Sequence, residues 1–383
     1  MTNNTLSDFL WNQKWWFPAH MHNPGGPDYY PTWRDLDNKP GSGLYYPKIQ
    51  DLHLGVGLGV LMVILRYLLE IFVIIPMGHK LGVRRKKHVY VEPYEKLEAV
   101  YGKKSKMDGD AIHALSKQLD LSTRQIEVWF RKKRKNDAPV PIKKFCDNTW
   151  LFLFYSCSFI YGINVMWSKP WLWKTKECWY DWPVQVYINL NKNADSRFFD
   201  TLCAIAWRQK EPVTDDVFWY YQLEVAFYWG SLFTLFTDHK RKDFIVMTLH
   251  DLSTLALLYF SWMVNLVRIG TLVLVIHDAA DPWLSLAKMG IYLHNKTLAD
   301  LTFIVFALLW FTTRCFLFPY LVILSTGIEV FAFIDEPFFV YYFLNAFLLV
   351  IQLLNIMWTF SVVKIMYNII TKGEVFSLVS SAL

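Results

Sequence analysis

HDLSTLALLYFSWMVNLVRIGTLVLVIHDAADPWLSLAK, residues 250–288, decides how the rest of the chain is read. It is apolar enough for a bilayer, yet it holds His250, Asp251, Asn265, Arg268, His277, Asp278 and Asp281. An ionisable group at the centre of a membrane helix costs at least ~2.5–3.5 kcal/mol, so such groups usually mark sites or pathways. Asn265 and Arg268 mark a turn, and a chain folded back there makes a helical hairpin. His250 stands fifteen residues before Asn265, and Asp281 thirteen after Arg268. At ~1.5 Å of rise per residue, both reach nearly the same depth. His277 and Asp281, spaced i, i+4, are expected on one helix face. The hairpin is thus expected to gather two imidazoles and up to three carboxylates into one layer of the membrane.

Composition supports a membrane setting. Of 383 residues, 54% are hydrophobic and 18% aromatic, which excludes an ordinary soluble domain. Eighteen Trp suit the aromatic belts of membrane interfaces. The net charge of +6 says less than its distribution, because basic residues cluster between Lys80 and Lys144. Five cysteines form no CxxC pattern, so neither a cysteine zinc site nor a disulfide framework is implied. The first thirty residues lack an apolar core, so no cleavable signal peptide is expected.

Apolar runs predict about seven transmembrane helices, at 52–77, 150–167, 217–236, 244–264, 267–280, 301–324 and 338–365. Residues 1–51, rich in Pro, Gly and aromatic clusters, read as irregular structure against a membrane face. HKLGVRRKK directly follows the first span and DHKRKD the third, which puts both flanks in the cytosol. The N-terminus is then lumenal, the tail 371–383 cytosolic, and the sequon at Asn3 a candidate glycosylation site. The sequon at Asn295 falls on the cytosolic side and is expected unmodified. In the first span, Arg66 and Glu70 are i, i+4 and are expected to neutralise each other or face the bundle.

Residues 92–140 read as a small soluble helical insert. DLSTRQIEVWFRKKRKND resembles the turn and third helix of a homeodomain, with Trp129 and Phe130 as core aromatics and Ser122 as helix cap. Arg131, Lys132, Lys133 and Arg134 line its basic face. The adenine-reading asparagine of homeodomains falls on Lys132, so DNA binding is not expected and a basic face near anionic headgroups is.

The pattern H-x-x-x-T from His250, NLVRIGTLVLVIHDAAD from Asn265, KFCDNTW from Lys144, the WSKPW…CWYDWP loop from Trp167 and KRKDF from Lys240 together resemble the ceramide synthases, sphingoid-base N-acyltransferases with a TLC domain. The resemblance covers most of the chain, and some members carry a homeobox-like insert. It implies an all-α polytopic bundle whose catalytic domain spans 144–370, an endoplasmic reticulum location, acyl-CoA and a sphingoid base as substrates, and association as homo- or heterodimers among membrane lipids. It also implies that the connection at 325–337 influences acyl length. Three positions depart from the family pattern: Asp251 where a second histidine is usual, Ser285 after an atypical Pro282, and Asn355 in place of a late histidine ahead of Trp358. They bear on activity, and a non-catalytic lipid sensor on the same fold is the alternative reading. A membrane-tethered DNA-binding regulator is a third.

N-acylation needs a deprotonated amine, a positioned thioester and a stabilised tetrahedral oxyanion. Histidine suits the proton transfer. His250 is expected to be the primary catalytic group, as general base or as a nucleophile carrying the acyl group. His277, oriented by Asp281, is expected to be the second acid–base, with Asp278 and Asp251 setting the electrostatics. Lys240, Arg241, Lys242 and Lys288 are candidates for the CoA phosphates. No cofactor beyond acyl-CoA as co-substrate is expected. The histidine boxes of membrane desaturases are absent, so no metal is expected at this site.

Overall fold

A computed structural model describes residues 11–22, 30–38, 45–83, 90–103, 109–137, 141–180, 182–183, 213–235 and 244–372. Asn3, Lys240, Arg241, Lys242 and most of the tail lie outside them, as does the polar stretch at 191–211. The described residues form helices: α1 Ile49–Lys80, α2 Glu95–Lys103, α3 Gly109–Leu119, α4 Thr123–Asp137, α5 Pro141–Trp167, α6 Asp215–Thr234, α7 Phe244–Met263, α8 Val267–Asp278, α9 Asp281–Tyr292, α10 Lys296–Ala332 and α11 Phe339–Lys372. An isolated bridge between Met21 and Ile334 is the only extended pairing among the described residues.

Six segments are long and apolar enough to cross a membrane, namely α1, α5, α7, α8 with α9, α10 and α11. The expected span at 217–236 is α6, and it falls short of that apolarity. Asp215, Asp216, Glu224 and a run of Tyr and Trp lower its hydropathy. It tolerates them because 11 of its 20 residues are buried against neighbouring helices. The α8–α9 segment is the innermost, with 67% of its most apolar window buried, whereas α1 is the outermost at 17%. α1 accordingly turns Leu61, Ile64, Leu68 and Phe72 outward, as a lipid-facing helix does.

Ion pairs and small residues join α1 to the bundle. Of the two expectations for Arg66 and Glu70, mutual neutralisation fails and facing the bundle holds. Arg66 reaches Asp147 on α5 at 2.9 Å and donates to the Thr234 hydroxyl of α6, while Lys143 of α5 meets Glu70 at 3.2 Å. A low-dielectric setting favours whichever opposite charge is held in the better geometry, and here the partners stand on the next helix. Nearer the start of α1, Gly55 and Gly59 admit α6 so closely that a Cβ on Gly59 would lie 2.9 Å from the Ala226 carbonyl oxygen.

The hairpin turn is where expected. Asn265 takes φ 55°, a left-handed conformation that asparagine tolerates. Its side chain donates to the Pro183 carbonyl at 2.6 Å, and Trp182 donates to the Val264 carbonyl at 2.9 Å. Arg268 donates to the Glu177 carbonyl and stacks over Trp171. The aromatic loop after α5 thus clamps the turn. The insert forms three helices around Leu97, Leu115, Ile126, Trp129 and Phe130, and Ser122 and Gln125 cap α4 reciprocally. Lys133 is tied to Glu98 of α2 at 2.9 Å, while Arg131 and Lys132 are exposed.

Replacing Gly59 by Val should destabilise the α1–α6 contact by ~1–3 kcal/mol through overpacking. A Cβ on Gly57 would meet nothing within 4 Å, so Gly57→Val should leave the thermal unfolding midpoint in detergent nearly unchanged.

Candidate active site

Helical geometry places the two histidines together. α7 and α8 run antiparallel from the clamped turn, so the start of one lies beside the end of the other. His250, Thr254, Leu258 and Ser261 step along α7 at one-turn intervals, and Leu266, Gly270, Val273 and His277 step back along α8. With Leu344, Leu348 and Ile351 of α11 they line an apolar cavity. Both imidazoles stand at one end. Trp179, Trp182, Val330 and Phe338 close the other.

A second cavity lies between α1, α5, α6 and the start of α7. Arg66, Asp147, Tyr155, Ser231, Thr234, Phe244 and Asp251 line it. His250 borders the first cavity and Asp251 the second, so this adjacent pair forms the partition between a greasy chamber and a charged one. The His250 Nδ1 stands 3.3 Å from an Asp251 oxygen, and Ser231 donates to the other oxygen at 2.8 Å. Trp358 and Tyr228 pack their rings near the His250 imidazole, the former at 5.5 Å. If Nδ1 carries the proton toward Asp251, Nε2 is the basic nitrogen.

The carboxylates do not form one layer. Successive residues of a helix point ~100° apart, so Asp278 turns away from His277. The Ser158 hydroxyl of α5 stands between Asp278, at 2.6 Å, and Glu224 of α6, and its single proton serves one of them at a time. Nor does Asp281 orient His277. Ala279 and Ala280 make a turn with helical dihedrals between α8 and α9, and Asp281 opens α9, with Pro282 in the first turn where a missing N–H is tolerated. The i, i+4 spacing does not become a hydrogen bond, because each side chain has another partner. His277 Nδ1 instead donates to the Val273 carbonyl at 2.9 Å, which leaves Nε2 as an acceptor without a partner among the described residues. Asp281 pairs at 3.0 Å with Arg314, which also donates to the His277 carbonyl and stacks over Trp310.

Arg314 sits in a widened π-helical stretch, Phe311–Ile323, that Pro319 imposes by lacking an N–H and crowding the preceding turn. Lys288 is half-buried on α9 and lines neither cavity. Ser285 is buried on the same helix. Asn355 is buried on α11 with both amide atoms unpartnered among the described residues. Sequence reasoning missed Glu224 and Ser158. The signal was available for Glu224, a carboxylate in mid-span, but the Trp and Tyr around it read as an interface belt.

With this geometry established, the relatives can be compared. A family model described as a TLC domain matches residues 144–364, and a homeodomain model matches residues 84–137. Ceramide synthase 4 of Bos taurus is 34% identical over 372 residues, covering 97% of this chain and 85% of the relative. Ceramide synthase 5 of Mus musculus is 33% identical over 375 residues, covering 98% and 81%. Ceramide synthase 3 of Homo sapiens is 31% identical over 363 residues, covering 94% and 84%. The chain is a multi-pass membrane protein of the TLC class. It belongs to the ceramide synthase family.

Replacing Asp281 by Ala would leave the buried Arg314 guanidinium without its carboxylate, a loss of ~3–5 kcal/mol in comparable buried pairs. The expected result is a clearly lowered unfolding midpoint in detergent. A carboxylate acting only on His277 would instead lower turnover and leave the midpoint in place.

Proposed function

We propose that the protein transfers a fatty acyl group from acyl-CoA to the amine of a sphingoid base, giving (dihydro)ceramide, in the endoplasmic reticulum membrane. In this reading the N-terminus is lumenal and the C-terminus cytosolic. Residues 144–370 are the catalytic unit, and family resemblance alone supports association as a homo- or heterodimer. The observation that carries the reading is that His250 and His277 share one apolar cavity while the residue beside His250 opens onto a charged one.

The division suits the two-faced substrate. Acyl-CoA is greasy at one end and phosphorylated at the other, with its reacting thioester between. The charged chamber, with Arg66 in its wall, accepts the polar part, and the apolar chamber the hydrocarbon. Their boundary at His250 and Asp251 is where the thioester would lie. His250 Nε2 removes a proton from the sphingoid amine, the nitrogen attacks the thioester carbonyl carbon, and the tetrahedral intermediate collapses to an amide. The sulfur leaves with the electron pair and takes the proton back from the imidazole. If His250 is the nucleophile, the same carbon passes through an acyl-imidazole before the amine displaces it. Asp251 holds the ring in one tautomer in either route, as a carboxylate does in hydrolytic triads. His277 Nε2, unpartnered among the described residues and beside the same cavity, is placed to accept a second proton. Asp278 acts through Ser158 and Glu224 on the far side of α8.

Purified wild type given a sphingoid base and acyl-CoAs of several lengths should release N-acyl product and free CoA thiol. His250→Ala should lower the rate by ~10²–10⁴-fold, the range that a positioned proton-transfer group supplies. A wild type that makes no amide at any acyl length overturns the reading and leaves the lipid sensor. Val330 closes the apolar cavity opposite the histidines. Val330→Trp should therefore shift the preference toward shorter acyl chains in a competition assay, while the rate with the shortest accepted chain changes little.

A further inference from the structure

A cluster of metal-binding side chains lies well apart from the histidines of the bundle. Residues 20–22 pair with residues 333–335 through the Met21–Ile334 bridge, and the His22 N–H donates to the Phe333 carbonyl at 2.8 Å. Side chains alternate in extended chain. Met21 therefore enters the core, 1% exposed, while His20 and His22 emerge together on the opposite side. Asp335 meets them there. His20 Nδ1 stands 2.9 Å from one carboxylate oxygen and His22 Nε2 2.6 Å from the other. The three ligand atoms lie within 4.8 Å of one another, and this is the only such group of three among the described residues.

We propose that His20, His22 and Asp335 form a zinc site that staples the N-terminal segment to the connection before α11. Two imidazole nitrogens and a carboxylate are a common zinc donor set, with water in the fourth tetrahedral position. Bonds of ~2.0–2.2 Å to a central ion need ligand atoms a little over 3 Å apart, which small side-chain rotations provide from this arrangement. Each ring then moves its proton to its other nitrogen and gives a lone pair to the metal. The donor set disfavours magnesium and calcium, which take oxygen ligands. Borderline nitrogen donors favour zinc among the abundant divalent ions.

The staple has a structural consequence. The strap holding Asp335 runs from Val330 to Phe338, both of which close the far end of the apolar cavity. On the other side of the bridge, the same N-terminal segment buries Phe17 against Trp33 and Trp182. Zinc would thus fasten the lumenal lid of the chamber from outside. The inference does not depend on acyl transfer at His250.

The test uses the full chain in detergent, stripped with a chelator, dialysed and titrated with zinc chloride. One equivalent of zinc should bind and raise the thermal unfolding midpoint, with magnesium or calcium chloride giving no rise. His22→Ala and Asp335→Ala should weaken binding by more than ~100-fold, beyond the ~10–100-fold seen when only the groups behind the ligands change. Cobalt titrated in place of zinc should give the visible absorption of a tetrahedral site in wild type and not in either variant. The metal-free unfolding midpoints and size-exclusion profiles of the variants check that they fold. Absence of stoichiometric zinc in wild type, or equal uptake by wild type and a folded Asp335→Ala, overturns the proposal and leaves Asp335 as a hydrogen-bonding partner of two histidines.

Discussion

The clamped turn between α7 and α8 is the constraint on which the rest depends. Asn265 holds its left-handed backbone against the Pro183 carbonyl, and Trp182 and Arg268 pin the same corner to the aromatic loop. Two antiparallel helices hinged at one fixed point have one register. That register carries His250 and His277 to the same end of the apolar cavity. Slipping either helix by one residue would rotate its histidine ~100° off the cavity. Polar groups at membrane depth thus owe their alignment to contacts at the far end of the hairpin.

The charged groups of the bundle link its helices, and Arg66, Asp147, Lys143 and Glu70 form one network between α1 and α5, with Lys143 also 3.6 Å from Asp147. Arg66 with Asp147, Lys143 with Glu70, Arg314 with Asp281, and Asp278 with Ser158 and Glu224 each join different helices. In a medium of low dielectric constant an unpaired charge costs more than a paired one, and Arg66, Lys143 and Arg314 each meet a carboxylate. The result is a cage of cross-links around two chambers. The histidine nitrogens and the Asp251 carboxylate are left at the edge of space that a substrate could fill.

The family's usual second histidine is Asp251 here. Next to His250 on the helix, its carboxylate reaches Nδ1 and accepts from Ser231. Asn355 is less easily rationalised, because its buried amide lacks partners among the described residues. Asp251 touches the His250 imidazole directly, whereas Asn355 stands on the helix whose Trp358 packs near that ring.

The sequence by itself determined the helical class, the hairpin, its turn and the two histidines. These follow from local periodicity, the cost of ionisable groups in lipid and the constant rise of a helix. It also determined the insert, whose Ile126, Trp129 and Phe130 repeat at core spacing and do form a core. Which acid serves which base was decided by tertiary structure alone. Asp281 looked like a partner for His277 on its i, i+4 spacing, yet Arg314 arrives from 33 residues away and takes its carboxylate. Likewise Arg66 and Glu70 find charges on α5, and Glu224 finds Ser158, because hydrogen bonds and ion pairs are short-ranged and depend on which helix packs next. A single strand of sequence carries the period of each helix, but not the identity of its neighbour.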